Sequence, residues 1–314
     1  MSPLADLNAL PFPDFEEFKP EDYLNFRRLP TYFSRGCPRR CAFCDVGAAW
    51  GAWRNRNGER VFSEIMHAGT HHPYVNSFVF SDPLVNADLN ELGKFCDLMV
   101  EARERSGKEI RWGGYAVVRT GMTPAFFQKM RAAGCEMLMF GVESGSQKVL
   151  DSMRKGQQVS TAEQVLRDCR AAGIMTTAFF LAGFPTETFE DFCESVAFIG
   201  RNAPFMTEVS CRLVKIGDGT PLAKEAVRTY GVNPRNFHCE YWESQEGKNN
   251  YLERLRRFEV LCEHAARHGV EHVALGAVFK RRRNRMVEEY QSFRKSGGVG
   301  EPSKAVFPTV FYNW

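Results

Sequence analysis

From about Tyr32 to Ile216, short apolar runs alternate with longer amphipathic ones. That alternation limits the available folds more than any other feature of the chain. Strands are expected over 30–36, 76–82, 109–117, 135–143, 174–185 and 208–216. Helices are expected over 59–69, about 88–105, 123–134, 160–172, 187–202 and, after the sixth strand, 250–268. Thr123 followed by Pro124 is a helix start with its cap and a proline at the first position. Six strand–helix pairs in succession imply a parallel sheet with right-handed crossovers. The strands are mostly apolar, as they are when both faces are covered. An open doubly wound sheet and a partly closed barrel both fit. An eight-unit barrel would need two further pairs, and the tail offers one weak strand over 272–278. In either fold, ligands lie at the carboxyl ends of strands. The cysteine-rich loop 37–44, Asp82, Glu143, Ser144 and Gly183 all fall there.

Composition narrows the class. Hydrophobic residues make up 44% and charged residues 25% of 314, enough apolar material for a large core. No apolar run reaches the roughly 18–20 residues of a membrane span. The acidic, proline-broken start MSPLADLNALPFPDFEEF is neither a secretion signal nor a transit peptide, so a cytoplasmic protein is expected. A net charge of +3, from 41 basic and 38 acidic residues, is too balanced to indicate nucleic acid. The basic run KRRRNR at 280–285 reads as a solvated helix face.

The chain has ten cysteines. A chain this long, without a secretion signal, does not need a disulfide framework. Cys96, Cys135, Cys169, Cys193, Cys211, Cys239 and Cys262 are scattered, mostly in apolar stretches where cysteine acts as a small hydrophobe. The other three, Cys37, Cys41 and Cys44, crowd into SRGCPRRCAFC with spacing C-x3-C-x2-C. Chance core cysteine is a poor reading beside Pro38, Arg39 and Arg40. Structural zinc wants four ligands; the fourth would come from His71, His72 or a remote cysteine, and no second C-x2-C pair exists. An iron–sulfur cluster suits thiolates. Three cysteines on a four-iron cubane leave one iron open to a small molecule.

The loop resembles that of the radical S-adenosylmethionine (SAM) enzymes, with Phe43 as the aromatic before the last cysteine. The resemblance runs from about Leu29 to Val232. It implies a partial (β/α)6 TIM-like barrel over 29–235, with a linker-like segment over 1–28 and a helical, aromatic-rich extension over 236–314. It implies a [4Fe–4S] cluster on Cys37, Cys41 and Cys44, whose open iron chelates SAM. Reductive cleavage of SAM would then yield a 5′-deoxyadenosyl radical that abstracts hydrogen from a substrate. GVESGSQKVLDSMRKG resembles the family's fourth-strand motif and implies that Glu143 and Ser144 contact SAM. FVFSDPLVN stands where many relatives have a glycine-rich motif; Ser81 and Asp82 are the candidates there, alongside a plain Asp-Pro turn. FFLAGFPTET resembles the adenine-packing end of the fifth strand, which implicates Gly183. In the sixth-strand region, Arg212 or Lys215 is a candidate partner for the SAM carboxylate.

The first forty residues resemble the linker between a cobalamin-binding domain and a radical SAM barrel. A standalone barrel is expected. Cobalamin is the less favoured cofactor and would come from another chain, supporting methyl or other alkyl transfer. A non-enzymatic iron–sulfur or zinc protein is a third reading. Asp82, Tyr115 and Arg119 are the catalytic candidates, and Trp112 is either cavity wall or core. Trp50 and Trp53 are candidates to wall the site or shield the cluster. The expected substrate is a small molecule or peptide. Arg35, Arg39 and Arg40 suit an acidic electron donor such as a flavodoxin.

Overall fold

A computed structural model describes residues 6–17, 27–272 and 277–296. The expected first strand, 30–36, is two elements. β1 (Arg28–Thr31) enters the main sheet, and β2 (Ser34–Arg35) turns away to pair antiparallel with β3 (Arg54–Asn55). Between β2 and β3 lie the cysteine loop and a short helix, α1 (Val46–Trp50). The remaining strands are β4 (Ser77–Phe80), β5 (Arg111–Ala116), β6 (Cys135–Glu143), β7 (Met175–Ala182), β8 (Glu208–Leu213) and β9 (Glu271–His272). They line up as β1-β4-β5-β6-β7-β8-β9, every neighbouring pair parallel. Spatial order follows chain order, so the sheet curls in one direction into a partial TIM-like barrel. Its end strands, β1 and β9, do not pair with each other.

The outer layer is α2 (Gly58–His71), α3 (Leu89–Ser106), α4 (Pro124–Ala132), α6 (Val159–Ala171), α7 (Phe189–Asn202) and α9 (Tyr251–Arg267). Side chains on the strands alternate between the two faces. Phe78, Phe80, Trp112, Ala116, Leu138, Phe140, Val142, Ala178, Phe180 and Val209 join Ile65, Leu92, Phe95, Phe127, Leu166 and Phe198 of the helices in one core. The intervening positions, including Val79, Tyr115, Gly141, Phe179, Ser210 and Arg212, are thereby left for the concave face. Trp112 is therefore core rather than cavity wall, and its indole N–H donates to the Ala133 carbonyl at 2.9 Å. Thr123 caps α4 as expected, Asp88 caps α3, and Thr188 with Asp191 forms a capping box on α7.

Three features differ from expectation. Two one-turn-scale helices, α5 (Gln147–Ser152) and α8 (Pro221–Glu225), follow β6 and β8. α2 runs two residues past the expected 59–69, to His71, with His72 as its C-cap. Of the weak strand expected over 272–278, His272 lies in β9, residues 273–276 lie outside the described residues, and residues from 277 belong to α10 (Ala277–Lys295). With β9, the main sheet has seven strands among the described residues. The basic run 280–285 does lie on a helix, with residues 283–285 exposed. The aromatic tail to Trp314 and the segment 18–26 lie outside the described residues.

Residues after 236 complete the molecule. Trp242 is fully buried and donates to the Val214 carbonyl at 3.1 Å. α9 packs on α7 and β8. Met286, Tyr290 and Phe293 of α10 close over Tyr241, Tyr251 and Leu255. At the other end, Phe12 sits under the Arg60 guanidinium of α2, 3.8 Å from it.

Candidate active site

The cysteine loop begins at Gly36, whose φ of +80° turns the chain out of β2. A Cβ there would meet the Ala52 carbonyl oxygen at 3.1 Å and the Trp53 Cα at 3.2 Å, so glycine is required on two counts. Asp82, buried just past β4, receives the N–H of Phe33 at 2.9 Å and that of Ser34. Burial pushes its carboxyl up to about 6, although both hydrogen bonds favour the ionised form. Asp82 thus grips the turn that feeds the loop. The middle of the loop is clamped at Ala42. Its N–H donates to the Met153 carbonyl and its carbonyl accepts from the Leu222 N–H, each at 2.8 Å. The Arg39 guanidinium donates to the Gly156 carbonyl at 2.9 Å.

Three thiols project from this scaffold. Cys41 is buried, and Cys37 and Cys44 are half-buried. Burial pushes the Cys41 thiol up to about 11 against the pull of nearby Lys155, and burial also raises Cys44. Thiols held protonated in this way ionise when a metal displaces the proton. Three cysteines on a loop clamped by backbone hydrogen bonds are the thiolate donors an iron–sulfur cluster takes.

Beside the loop is the end of β6. Glu143 has φ +68°, a left-handed conformation rare for a side chain of this size. The register with β7 shifts between Gly141 and Glu143. This kink lays the Glu143 carboxylate back over Gly141, where it meets the Lys155 ammonium at 2.7 Å. A Cβ on Gly141 would stand 2.6 Å from the Lys155 Nζ; the bare glycine makes room for the pair. Burial would depress Lys155, but Glu143 and the cysteine sulfurs outweigh it and hold the lysine above its ordinary value. The ammonium also lies 5.7 Å from the Phe43 ring. Ser144 turns the other way. Its hydroxyl pairs with Ser195 at 3.1 Å and accepts the Ser146 N–H at 3.1 Å.

Gly183, past β7, has φ +78°. Its N–H donates to Glu187 at 2.9 Å, and its carbonyl accepts from Asn249 at 3.3 Å. The stem of buried Arg254 fills the space where a Cβ would go. Glu187 is paired with Arg257 at 2.7 Å, yet burial pushes it up to about 7.

On the concave face, Tyr115 stacks on Phe179 with centroids 5.8 Å apart and planes at 28°. Burial raises the Tyr115 phenol, and Arg212 pulls it the other way. Arg212 and Ser81 are exposed on the same face. Arg119 is committed elsewhere, donating to the carbonyls of Asn86 at 3.1 Å and Ala87 at 2.8 Å. Lys215 forms an ion pair with Glu240. Exposed Trp50 lies 5.9 Å from the Arg35 guanidinium, and the Trp53 indole N–H is buried without a partner. The structure therefore gathers the cysteines, Phe43 and Glu143 at one end of the barrel, with Tyr115 and Arg212 on its inner face. Sequence reasoning passed over Lys155 and Gly141. Both lie in the stretch that drew attention to Glu143, but only the left-handed kink shows why they belong with it.

Comparison with known proteins identifies the family. The radical SAM superfamily profile matches residues 31–199, more than half of the chain. Bacteriochlorophyllide d C-8(2)-methyltransferase of Chlorobaculum tepidum is 27% identical over 217 residues, covering 62% of this chain and 47% of that protein. Anaerobic magnesium-protoporphyrin IX monomethyl ester cyclase of Cereibacter sphaeroides is 30% identical over 162 residues, 50% of this chain and 25% of that one. Among solved structures, the radical SAM methyltransferase TsrM of Kitasatospora setae, with tryptophan and a SAM analogue bound, superimposes with a TM-score of 0.59 at 17% identity. That match covers 77% of this chain and 52% of TsrM. The chain spans about half or less of the length of these relatives. It belongs to the radical SAM superfamily, whose enzymes use a [4Fe–4S] cluster and S-adenosylmethionine.

Proposed function

We propose that this chain is a radical SAM catalyst that removes a hydrogen atom from a small-molecule or peptide substrate. The observation that carries the reading is the clamped three-cysteine loop set against the Glu143–Lys155 pair at the carboxyl end of the barrel. When bound, the cluster and SAM supply a 5′-deoxyadenosyl radical. Cys37, Cys41 and Cys44 would hold the cluster, and Lys155 would offset the charge of their thiolates. Glu143 would receive the SAM amino group or ribose, with Phe43, Ser81 and the backbone at Ser144 and Gly183 around it, and Arg212 would pair with the carboxylate. Asp82 acts on the loop, since both its oxygens are taken by the backbone at 33 and 34. Substrate would lie against the Tyr115–Phe179 pair. The free cysteines suit a reducing compartment such as the cytoplasm. No described helix is long and apolar enough to cross a membrane.

Relatives named as methyltransferases, and TsrM solved with cobalamin, favour a second reading. In it, methyl or another alkyl group is transferred, with cobalamin supplied by another chain. Product analysis separates the two. The anaerobically reconstituted protein is reduced with dithionite in the presence of SAM. 5′-Deoxyadenosine without S-adenosylhomocysteine supports hydrogen abstraction. S-Adenosylhomocysteine that appears only when cobalamin is added supports methyl transfer. Neither product would sink both readings.

A further inference from the structure

Two cysteines that read as scattered core residues meet a histidine on the outer side of the sheet. Cys211 comes from β8, Cys262 from α9 and His272 from β9. Their two sulfurs and a ring nitrogen all lie within 4.8 Å of one another. The Cys262 sulfur is 2.9 Å from the His272 Nε2, toward which the Cys211 N–H also points at 3.4 Å. Cys211 and Cys262 are buried, and His272 is half-buried with its ring edge-on to Phe258. Cys211 packs with Val209 and Leu261 toward the helices, whereas its neighbours Ser210 and Arg212 face the barrel interior. The cluster loop is therefore on the other side of the sheet.

We propose that Cys211, Cys262 and His272 bind a zinc ion. Two thiolates and an imidazole are the donor set that zinc favours. They converge from three separate elements, with all three ligand atoms within 4.8 Å of one another. Charge favours a divalent ion as well. Two thiolates and a neutral imidazole cancel the charge of Zn²⁺, whereas Cu⁺ would leave a net negative charge in an apolar core, which is costly. Three protein ligands leave a fourth position for water. The structural consequence is specific. Among the described residues, β9 pairs with β8 through Glu271 and His272. The ion would tie β8, α9 and β9 together at that edge.

The test uses full-length protein purified anaerobically, together with a full-length Cys37→Ala, Cys41→Ala, Cys44→Ala variant that has no cluster ligands. The expected result is about one zinc per chain in both, the stoichiometry of a mononuclear site. Cobalt added to the zinc-stripped cluster-free variant should give tetrahedral visible bands with thiolate charge transfer. Cys211→Ser and Cys262→Ser, made in that background, should weaken metal binding at least about tenfold with unchanged far-ultraviolet circular dichroism. Absence of zinc together with no thiolate–cobalt band would overturn the proposal. So would zinc retained at full strength in both serine variants, or a metal-free Cys211–Cys262 disulfide found by mass spectrometry. If the serine variants fail to fold, the cobalt spectrum of the parent decides alone.

Discussion

Glu143→Gln isolates the ion pair beside the cysteine loop. Glu143 and Lys155 are each 9% exposed at the side chain and 2.7 Å apart. Removing one partner of a buried pair costs about 3–5 kcal/mol, because the remaining charge is stranded. Glutamine keeps one acceptor oxygen, so Glu143→Gln should fall near 3 kcal/mol and Glu143→Ala nearer 5 kcal/mol. The backbone adds a second signature. At φ +68°, Glu143→Gly relieves a left-handed strain of about 1–2 kcal/mol and should be more stable than Glu143→Ala by that amount. Replacing both charges, Glu143→Gln with Lys155→Met, should recover stability to within about 1 kcal/mol of the parent. The unpaired lysine also predicts a pH dependence. Burial then depresses Lys155 in the folded state alone, so the unfolded chain binds more protons. The deficit of Glu143→Gln should therefore shrink as pH rises toward the ordinary lysine value of 10.5. Urea unfolding of the metal-free full chain measures all of this. A Glu143→Gln variant within about 1 kcal/mol of the parent, with no change in slope against pH, would refute the buried-pair reasoning.

Other outcomes follow from the same geometry. Gly141→Ala should push the Lys155 ammonium off Glu143 and lower SAM-cleavage activity more than it lowers thermal stability; equal losses would mean that Gly141 serves packing alone. Asp82 is raised from 3.8 to about 6 in the folded state, so the folded chain holds more protons between those values. Stability should fall as pH rises from 3.8 to about 6 and then level off. Asp82→Asn should flatten that segment while costing about 1–3 kcal/mol at neutral pH through one backbone N–H left unpaired. A charge-reversed Arg39→Glu, Arg40→Glu variant should be reduced more slowly by flavodoxin, with a weaker salt dependence. An unchanged rate and salt slope would remove the loop arginines from donor docking.

Much of the barrel was legible because its helices are capped by local chemistry and its strands are bounded by turns. β6 occupies the expected 135–143, and α7 starts at its Thr188 box, two residues inside the expected range. The first strand was misjudged because Phe33 and Ser34 are bent out of the sheet by Asp82, about fifty residues away in sequence. No local pattern carries that instruction. β9 overlaps the weak strand expected over 272–278, and its partner is set at long range, because α9 returns the chain to the edge of β8. The cysteine loop announced itself through spacing. Lys155 did not, because its role depends on a left-handed residue and a glycine at other positions. Arg119 and Trp112 looked available for the cavity, but one is spent on backbone carbonyls and the other lies in the core. Long side chains at strand ends have several targets in reach, and only packing chooses between them.

The central claim is that three thiolates hold a four-iron cluster with one iron open to SAM. Electron paramagnetic resonance of the reduced, reconstituted protein, recorded before and after adding SAM, tests it directly. The account predicts a reduced-cluster signal whose g-values shift on SAM addition and which disappears in Cys37→Ala, Cys41→Ala and Cys44→Ala. A signal indifferent to SAM, or no signal with zinc and no sulfide bound at those three cysteines, would contradict it.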